Sequence, residues 1–285
     1  MSLWTIKYPR SAVCALALAF GPSVRANLVG IESDTGNLYA VSTTDASLTL
    51  ITNTGITGLA SLEFLNGSLY GFTQGTDPTL YELATDGSIV GSIPLGADVI
   101  TEGALVFGPD GVAYGMSDSV FSFAPVLFSF DLATGAVLDT VPVDTGTAGA
   151  LDINGLAWLS GDTLNNGQLL AVDRFSNSLL TISTSTGDTA FFSAVPNTVG
   201  GVGGMAVDAE GQVFFSTAGP GGLNPGSNLL YRIDPDTKVI TPIGEFSVDN
   251  VRVEGVGISG LAIIPEPAAL SLLALGGLSL LRRRR

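Results

Sequence analysis

The sequence contains no histidine, and Cys14 is its only cysteine. Metal sites built from imidazole or thiolate ligands need several of these residues, and Ser-His-Asp or Cys-His catalysis needs a histidine. A single cysteine also cannot form a disulfide within the chain. These absences exclude the commonest metal centres and nucleophilic triads, and we therefore predict that the protein is not an enzyme.

Charged residues are scarce as well, at 13% of the chain, and basic residues are the scarcer kind. Between residues 27 and 264, four basic residues stand against 25 acidic ones, a net charge near −21. Such an acidic surface repels nucleic acid and anionic lipid and attracts cations. We therefore expect no nucleic-acid partner.

The composition contains few of the residues that build helices and many that build turns. Glycine occurs 37 times and proline 14 times, while apolar residues reach 46% of the chain. Asn, Asp, Ser and Thr are abundant between short apolar runs. This mixture is typical of short strands joined by tight turns and argues against a helical bundle, so we predict an all-β fold.

Residues 1–26 have the three parts of a signal peptide. Lys7 and Arg10 form a positive segment, Ser11–Phe20 is an apolar stretch of ten residues, and small residues, including Ala26, follow at the cleavage positions. Signal peptidase cleaves after this pattern, which predicts a cut between Ala26 and Asn27. The alternative interpretation is a buried first strand or helix.

The tail, residues 265–285, combines three features in order. Pro265, Glu266 and Pro267 precede the uncharged run Ala268–Leu281, and the chain then ends in Arg282, Arg283, Arg284 and Arg285. The prolines separate the tail from the preceding fold, and the arginines resist translocation across a membrane. As a helix the run is about 21 Å long, shorter than the ~30 Å hydrocarbon core of a bilayer. The residues of the tail by themselves predict a short stop-transfer membrane anchor.

This arrangement resembles the PEP-CTERM sorting signal. In that family, the tripeptide is recognised by an exosortase, a membrane-embedded cysteine protease of Gram-negative bacteria that make exopolysaccharide, and the tail is removed during sorting. The resemblance implies that Pro265, Glu266 and Pro267 form the recognition site. It also implies an intermediate anchored in the inner membrane and a final location on the outer surface or in the extracellular matrix. An ordinary tail anchor with a chance Pro-Glu-Pro is the alternative.

Between these ends, one unit recurs: an apolar strand, a glycine turn, a second strand, and a third strand ending in a Thr-Gly or Asp-Gly turn. The strands after the first turn are marked, at spacings of 31, 44, 56 and 44 residues, by Tyr39, Tyr70, Tyr114, Leu170 and Phe214. Repeats of this size indicate four-stranded sheets arranged radially, because one such sheet cannot bury both faces alone. We predict a β-propeller over residues 27–264 and a hydrophobic C-terminal helix. Five blades are expected, or six if the 56-residue interval contains a partial blade; a β-sandwich or an irregular β-solenoid is the alternative.

A further strand recurs before these copies, and each of its instances starts with glycine. The instances GALVF, GLAWL, GMAVD and GLAII start at Gly103, Gly155, Gly204 and Gly260. No copy follows the last instance, so we expect it to close the ring beside Leu28–Ile31. The repeats broadly resemble the YVTN, NHL and lactonase-like propeller repeats, chiefly in their turns.

The lactonase-like resemblance implies one candidate metal site. Some of those propellers hold a divalent ion in the central channel with carboxylate and amide oxygens. The residues before the inner-strand glycines in this chain are Glu102, Asn154, Gly203 and Ser259, of which Glu102 and Asn154 offer the hard oxygens that Ca²⁺ prefers. Two oxygens do not make a site, and Asp and Asn at turns usually cap them. We therefore expect no cofactor, with Ca²⁺ as the one candidate ion.

Two other features have structural interpretations. Gly200–Gly204 is glycine-rich but precedes a strand and not a helix, so we expect no nucleotide site there. Five aromatic residues would stack on sugar rings only if they were exposed, and at strand positions they are expected in the core. They are Trp158, Phe191, Phe192, Phe214 and Phe215.

Two classes of function follow. The first is a non-enzymatic protein of the cell surface or extracellular matrix, which meets signal peptidase and exosortase during export and then polysaccharide or surface proteins. Its contact surface would be the loops Ala218–Asn228 and Asp139–Asp152. The second is a Ca²⁺-dependent periplasmic or extracellular hydrolase or lyase with its site at Glu102 and Asn154, where a carboxylate must serve as the base.

Overall fold

The computed structural model describes residues 27–75, 77–96, 104–109, 111–117, 125–146, 151–159, 168–173, 175–195, 201–218, 228–249, 251–252 and 257–265. These residues form strands and turns and contain no helix, so the all-β prediction is confirmed for them. No segment of this part of the chain is a helix able to cross a bilayer. The predicted signal peptide, Glu266 and Pro267 of the predicted sorting motif, the apolar run of the tail and the four terminal arginines lie outside the described residues.

Twenty strands form five antiparallel four-stranded sheets, the blades, and the strand order in each blade runs from the innermost strand to the outermost. Blade 1 contains β22 (Ile258–Ile264), β1 (Asn27–Glu32), β2 (Asn37–Val41) and β3 (Leu48–Asn53). Blade 2 contains β4 (Glu63–Leu65), β5 (Ser68–Phe72), β6 (Thr79–Leu83) and β7 (Ile89–Pro94). Blade 3 contains β8 (Leu105–Phe107), β9 (Ala113–Met116), β10 (Val126–Phe130) and β11 (Val137–Pro142).

The remaining strands complete the set. Blade 4 contains β12 (Ile153–Trp158), β13 (Gln168–Asp173), β14 (Ser178–Ser183) and β15 (Thr189–Ala194). Blade 5 contains β16 (Gly201–Val207), β17 (Val213–Ala218), β18 (Leu229–Asp234) and β19 (Val239–Glu245). A short hairpin, β20 (Ser247–Val248) and β21 (Val251–Arg252), follows blade 5 in the chain.

The innermost strands form a closed ring. Strand β22 contacts β4, and the contacts continue through β8, β12 and β16 back to β22. The molecule is therefore a five-bladed β-propeller. The interval between Tyr114 and Leu170 holds β10, β11 and β12, and its described residues form no additional sheet, so the option of a sixth blade is wrong.

The ring is closed by the strand that the sequence predicted for this role. Strand β22 pairs antiparallel with β1, with Ile264 opposite Asn27 and Gly260 opposite Ile31. Blade 1 thus combines strands from both ends of residues 27–264. It can form only after these distant segments meet, which makes the closure a long-range contact.

This closure corrects the assignment of the first repeat. Because β22 is the innermost strand of blade 1, β1 is the second strand and β2, which contains Tyr39, is the third. The other four markers lie in second strands: Tyr70, Tyr114, Leu170 and Phe214. The predicted equivalence of Tyr39 is therefore wrong, and the spacing of 31 residues is not a blade period.

The turn between the third and fourth strands is common to all five blades. One residue in each of these turns has a positive φ: Ala46 (61°), Gly87 (83°), Gly135 (70°), Gly187 (73°) and Lys238 (59°). The turn packs against the preceding blade; a Cβ at Gly187, for example, would lie 2.0 Å from the carbonyl oxygen of Pro142. Ala46 stands where three other blades have glycine, which concealed the first copy of this unit in the sequence.

The core consists of five clusters, one in each seam between neighbouring blades. In the seam between blades 4 and 5, the rings of Phe215 and Tyr231 stack with their centroids 4.8 Å apart, beside Leu170 and Val172. In the seam between blades 2 and 3, Phe72 packs with Phe130. Each sheet thus buries its two faces against its neighbours, as the repeat pattern requires.

Candidate functional site

The innermost strands define two ends of the propeller. Each of them begins where the chain arrives from the preceding blade; in blades 2 to 5 it ends at the turn into the second strand, and in blade 1 it ends beside the start of β1. We call the end where these strands begin the entry face and the opposite end the exit face. The connections between second and third strands also lie at the entry face, because adjacent strands are antiparallel.

Buried polar side chains are concentrated at the entry face. They lie at the starts of innermost strands, at the ends of second strands and at the starts of third strands. The buried set at these positions comprises Glu32, Ser61, Ser117, Asp152, Asn154, Asp173, Ser178, Thr217 and Asn228. Loops on a rigid scaffold commonly carry binding residues, so this face is the candidate site.

Five equivalent residues lie at or next to the last residue of the second strands, and three of them carry hydroxyl groups. Thr73 Oγ1 accepts the N–H of Thr79 at 3.0 Å. Ser117 Oγ and Thr217 Oγ1 accept the N–H groups of Val126 and Leu229, each at 2.9 Å. These hydrogen bonds hold the second and third strands together where the connecting loops leave the blade.

Carboxylates replace the hydroxyl groups in the other two blades, at Glu32 and Asp173. Asp173 accepts the backbone N–H groups of Asp152 at 2.9 Å, Phe175 at 3.2 Å and Ser176 at 3.1 Å. Glu32 Oε2 accepts hydrogen bonds from its own short turn. Both carboxylates therefore close turns, the structural role expected of acidic residues at such positions.

A β-bulge interrupts the innermost strand in blades 1, 4 and 5. The bulges fall at Ser259, Asn154 and Gly203, three of the positions that the sequence aligned before the inner-strand glycines. Ser259 Oγ donates towards the carbonyl oxygens of Ile31 at 3.1 Å and Leu59 at 3.2 Å. In blade 1 the bulge thus links the innermost strand to the connection leading into blade 2.

Asn154 differs from the other bulge residues, because its side-chain oxygen is not used by the described residues. The residue is 7% exposed, and its Oδ1 accepts no hydrogen bond from them. Glu102 lies outside the described residues. Of the two equivalent bulge residues, Gly203 has no side chain, and Ser259 uses its hydroxyl group in hydrogen bonds to backbone carbonyl oxygens. A Ca²⁺ ion, by contrast, takes about six to eight oxygen ligands. The part of the chain that the structure describes contains no cluster of three acidic or other metal-binding side chains, so the Ca²⁺ site stays a prediction.

Glycines bring the innermost strands of blades 5 and 1 into direct backbone contact. A Cβ at Gly203 would lie 2.0 Å from the carbonyl oxygen of Ile258, and one at Gly204 would lie 2.2 Å from the backbone nitrogen of Leu261. Of the glycine-rich segment, Gly201–Gly204 lies within β16 and does not precede it, and Gly203 and Gly204 allow this close approach. The sequence shows these glycines but does not reveal their packing role.

The aromatic residues are divided between core and surface. Phe192, Phe214 and Phe215 are buried, which confirms their prediction as core residues. Trp158 is half-buried beside Tyr114, with ring centroids 6.0 Å apart. Phe191 is 66% exposed on the outer strand β15, so its assignment to the core is wrong.

Glu63 is an acidic residue that the sequence patterns did not single out. It begins β4 and lies directly opposite Tyr70. The residues in the same register of the other four innermost strands are Val106, Ala157, Ala206 and Ala262. Burial raises the pKa of Glu63 to about 8. Aligning the segment SLEFL (Ser61–Leu65) with GLAWL, GMAVD and GLAII would have revealed this acid at an apolar position.

Comparison with known proteins gives no family assignment. The sequence matches no protein-family model and no curated protein. Similar solved structures include a protein of unknown function from Bacteroides caccae, with 12% identity, a TM-score of 0.43 and coverage of 76% of this chain and 71% of that one. The extracellular domain of a hybrid two-component system from B. thetaiotaomicron has 14% identity, a TM-score of 0.42 and coverage of 75% and 26%.

A third similar structure is Kuenenia stuttgartiensis hydrazine synthase, with 15% identity, a TM-score of 0.43 and coverage of 73% of this chain and 64% of that one. The protein thus spans less than two thirds of both the two-component-system chain and the hydrazine synthase chain. Similarity of this degree carries no conclusion about function, which depends on the residues of the propeller itself.

Proposed function

We propose that the protein is an exported, non-enzymatic surface protein whose propeller is tethered at its exit face and binds a ligand at its entry face. One observation carries the proposal: Asn27 lies opposite Ile264 in the β1–β22 pair. Asn27 and Pro265, both exposed, therefore leave the propeller side by side at the exit face. A tail that begins at Pro265 therefore leaves from the exit face, so this face is turned towards the membrane or surface to which the tail is attached.

The opposite face receives the connections that suit recognition. The chain runs through nine residues between β9 and β10 and through ten between β17 and β18, and both connections start and end at the entry face. The second of them corresponds to the predicted contact loop Ala218–Asn228. In the other predicted loop, Asp139–Pro142 belongs to β11, and only the connection after it leads to the entry face. Most residues of these connections lie outside the described residues.

The chemistry of the chain favours binding over catalysis. Histidine is absent, and the buried carboxylates Glu32 and Asp173 are occupied by turn hydrogen bonds. The strongly acidic surface favours neutral or cationic partners. We therefore propose polysaccharide or surface proteins as ligands, and signal peptidase and an exosortase as partners during export through Pro265, Glu266 and Pro267.

Sorting is tested by intact mass and cell fractionation of the full chain in an exosortase-positive host and in its exosortase-deletion strain. We expect a species that starts at Asn27 and lacks the terminal arginines, on the surface or in the medium of the positive host only. Replacing Glu266 with alanine should reproduce the deletion phenotype, because this is the only acid in the tail. A membrane-bound species that retains Arg282–Arg285 in both hosts would mean that the tail is an ordinary anchor.

The Ca²⁺-dependent hydrolase or lyase is a second candidate, favoured by the buried Asn154 Oδ1 without a partner among the described residues. This candidate predicts one tightly bound Ca²⁺ per chain by metal analysis after dialysis. It also predicts a thermal midpoint that Ca²⁺ raises by several degrees in the wild type but not in Asn154→Ala or Glu102→Gln, because binding to the native state stabilises it. Identical midpoints with Ca²⁺ and with EDTA would eliminate the candidate.

A further inference from the structure

Glu63 occupies a row of side chains that crosses blade 2. It lies directly opposite Tyr70 on β5, and Tyr70 lies directly opposite Glu82 on β6. Directly opposed residues in antiparallel strands point to the same face of the sheet. Tyr70 packs in the seam between blades 2 and 3, with its ring edge-to-face against Phe107 at a centroid distance of 5.5 Å. Glu63 therefore points into this seam, near the propeller axis.

The other blades show what this position ordinarily requires. Their residues in the same register are one valine and three alanines, which are small and apolar and allow neighbouring innermost strands to pack. Glu63 places a carboxyl group into the same environment. Among the described residues, the only hydrogen bond to this group comes from the N–H of Phe64, at 3.3 Å.

No positive charge among the described residues compensates Glu63. Of the titratable groups that face it from its own blade, Tyr70 is neutral and Glu82 is acidic. The described residues of β8 and β22, which flank β4 in the ring, include no titratable side chain. The described basic side chains Arg232 and Lys238 both belong to blade 5. A carboxylate in an apolar seam without a cation is costly, whereas a neutral carboxyl group is tolerated.

We propose that the seam between blades 2 and 3 is a pH-sensitive element, closed while Glu63 holds its proton and loosened when Glu63 ionises. The seam contains a small surface groove that would respond to this change. Its volume is about 80 Å³, and it is lined by residues of both blades, including Tyr70 and Glu82 from blade 2 and Leu132 from blade 3. The inference is independent of the tail and of the ligand at the entry face.

The direction of the pH effect follows from proton linkage. Burial raises the pKa of Glu63 from 4.5 in the unfolded chain to about 8 in the folded one. Between these values the folded protein holds a proton that the unfolded chain has lost, so folding is favoured at the acidic end of the window. This contribution is complete below the unfolded pKa and is lost as the pH rises towards about 8.

The test compares the full-length wild-type protein with Glu63→Gln in chemical denaturation at several pH values. We expect the unfolding constant of the wild type to rise, relative to the variant, by about tenfold per pH unit between pH 5 and 8, because one proton is involved. Glu63→Ala, which introduces the residue found in blades 1, 4 and 5, should behave as Glu63→Gln does. Glu82→Gln, in the same row, should retain the wild-type pH dependence.

Hydrogen exchange locates the effect within the molecule. Relative to Glu63→Gln at each pH, the amides of β4, β5 and β8 in the wild type should lose protection as the pH rises, while those of β13 and β17 should not. Parallel pH dependence of the wild type, Glu63→Gln and Glu63→Ala would overturn the proposal. A loss of protection spread evenly over all blades would also overturn it, because Glu63 would then affect only global stability.

Discussion

Gly204→Ala is expected to lower the free energy of unfolding by about 3 kcal/mol or more, enough to unfold a marginally stable propeller. A Cβ at this position would lie 2.2 Å from the backbone nitrogen of Leu261 and 2.5 Å from two backbone atoms of Gly260. No rotation of a side chain relieves contacts with backbone atoms. Strand β22 also cannot move away freely, because its other edge is hydrogen-bonded to β1.

A matched control isolates this close approach from the general effect of replacing a glycine in a strand. Gly91 lies in β7, and a Cβ built there meets no atom within 4 Å. We expect Gly91→Ala to change stability by about 0.5 kcal/mol or less. Trp158 is the only tryptophan in residues 27–285, so its fluorescence reports unfolding when both variants are produced from Asn27 onwards. Equal stabilities would show that the contact between blades 5 and 1 tolerates a methyl group.

Removal of β22 is expected to abolish cooperative folding. A variant comprising residues 27–256 lacks the innermost strand of blade 1, including the fully buried Ile258, Leu261 and Ala262. Burial of each large apolar side chain contributes about 1.5–3 kcal/mol, and the ladder of hydrogen bonds to β1 is lost in addition. The sum approaches the entire stability of an ordinary domain, about 5–15 kcal/mol.

The control for this truncation ends at Pro265 and retains every described strand. We expect it to unfold cooperatively in thermal melts followed by circular dichroism and to elute as a compact species in size exclusion. The shorter variant should elute as an expanded or aggregated chain without a cooperative transition. A cooperative transition in the variant ending at residue 256 would contradict the role of β22 in closing the ring.

Local patterns predicted most of the architecture. Periodic Gly turns and short apolar runs indicated four-stranded units, since turn chemistry depends on neighbouring residues only. The unpaired strand Gly260–Ile264 at the end of the repeats indicated the closure with Leu28–Ile31, which β22 and β1 confirm. The first repeat was misassigned because Ala46 adopts a positive φ, 61°, that sequence patterns associate with glycine.

The site was less predictable, because it depends on which strands become neighbours in space. Asn154, Gly203 and Ser259 were correctly aligned as equivalent positions, yet their roles differ. A neighbouring backbone leaves no room at Gly203, two carbonyl oxygens engage Ser259, and the oxygen of Asn154 has no hydrogen-bond partner in the described part of the chain. For Glu63, an alignment of the innermost strands shows an acid at an apolar position, but the seam that surrounds it forms only when blades 2 and 3 pack together.

The amino-acid sequence alone was sufficient for the all-β class, the acidic surface, the absence of histidine chemistry and the sorting prediction for the tail, because composition and contiguous motifs carry this information. The folded ring was needed for the number of blades, the mixed origin of blade 1, the common exit of Asn27 and Pro265, and the position of Glu63 in the seam between blades 2 and 3. These properties arise from pairing between residues far apart in the chain. A local pattern shows that a residue is in a strand, but only the packed ring shows what lies against it.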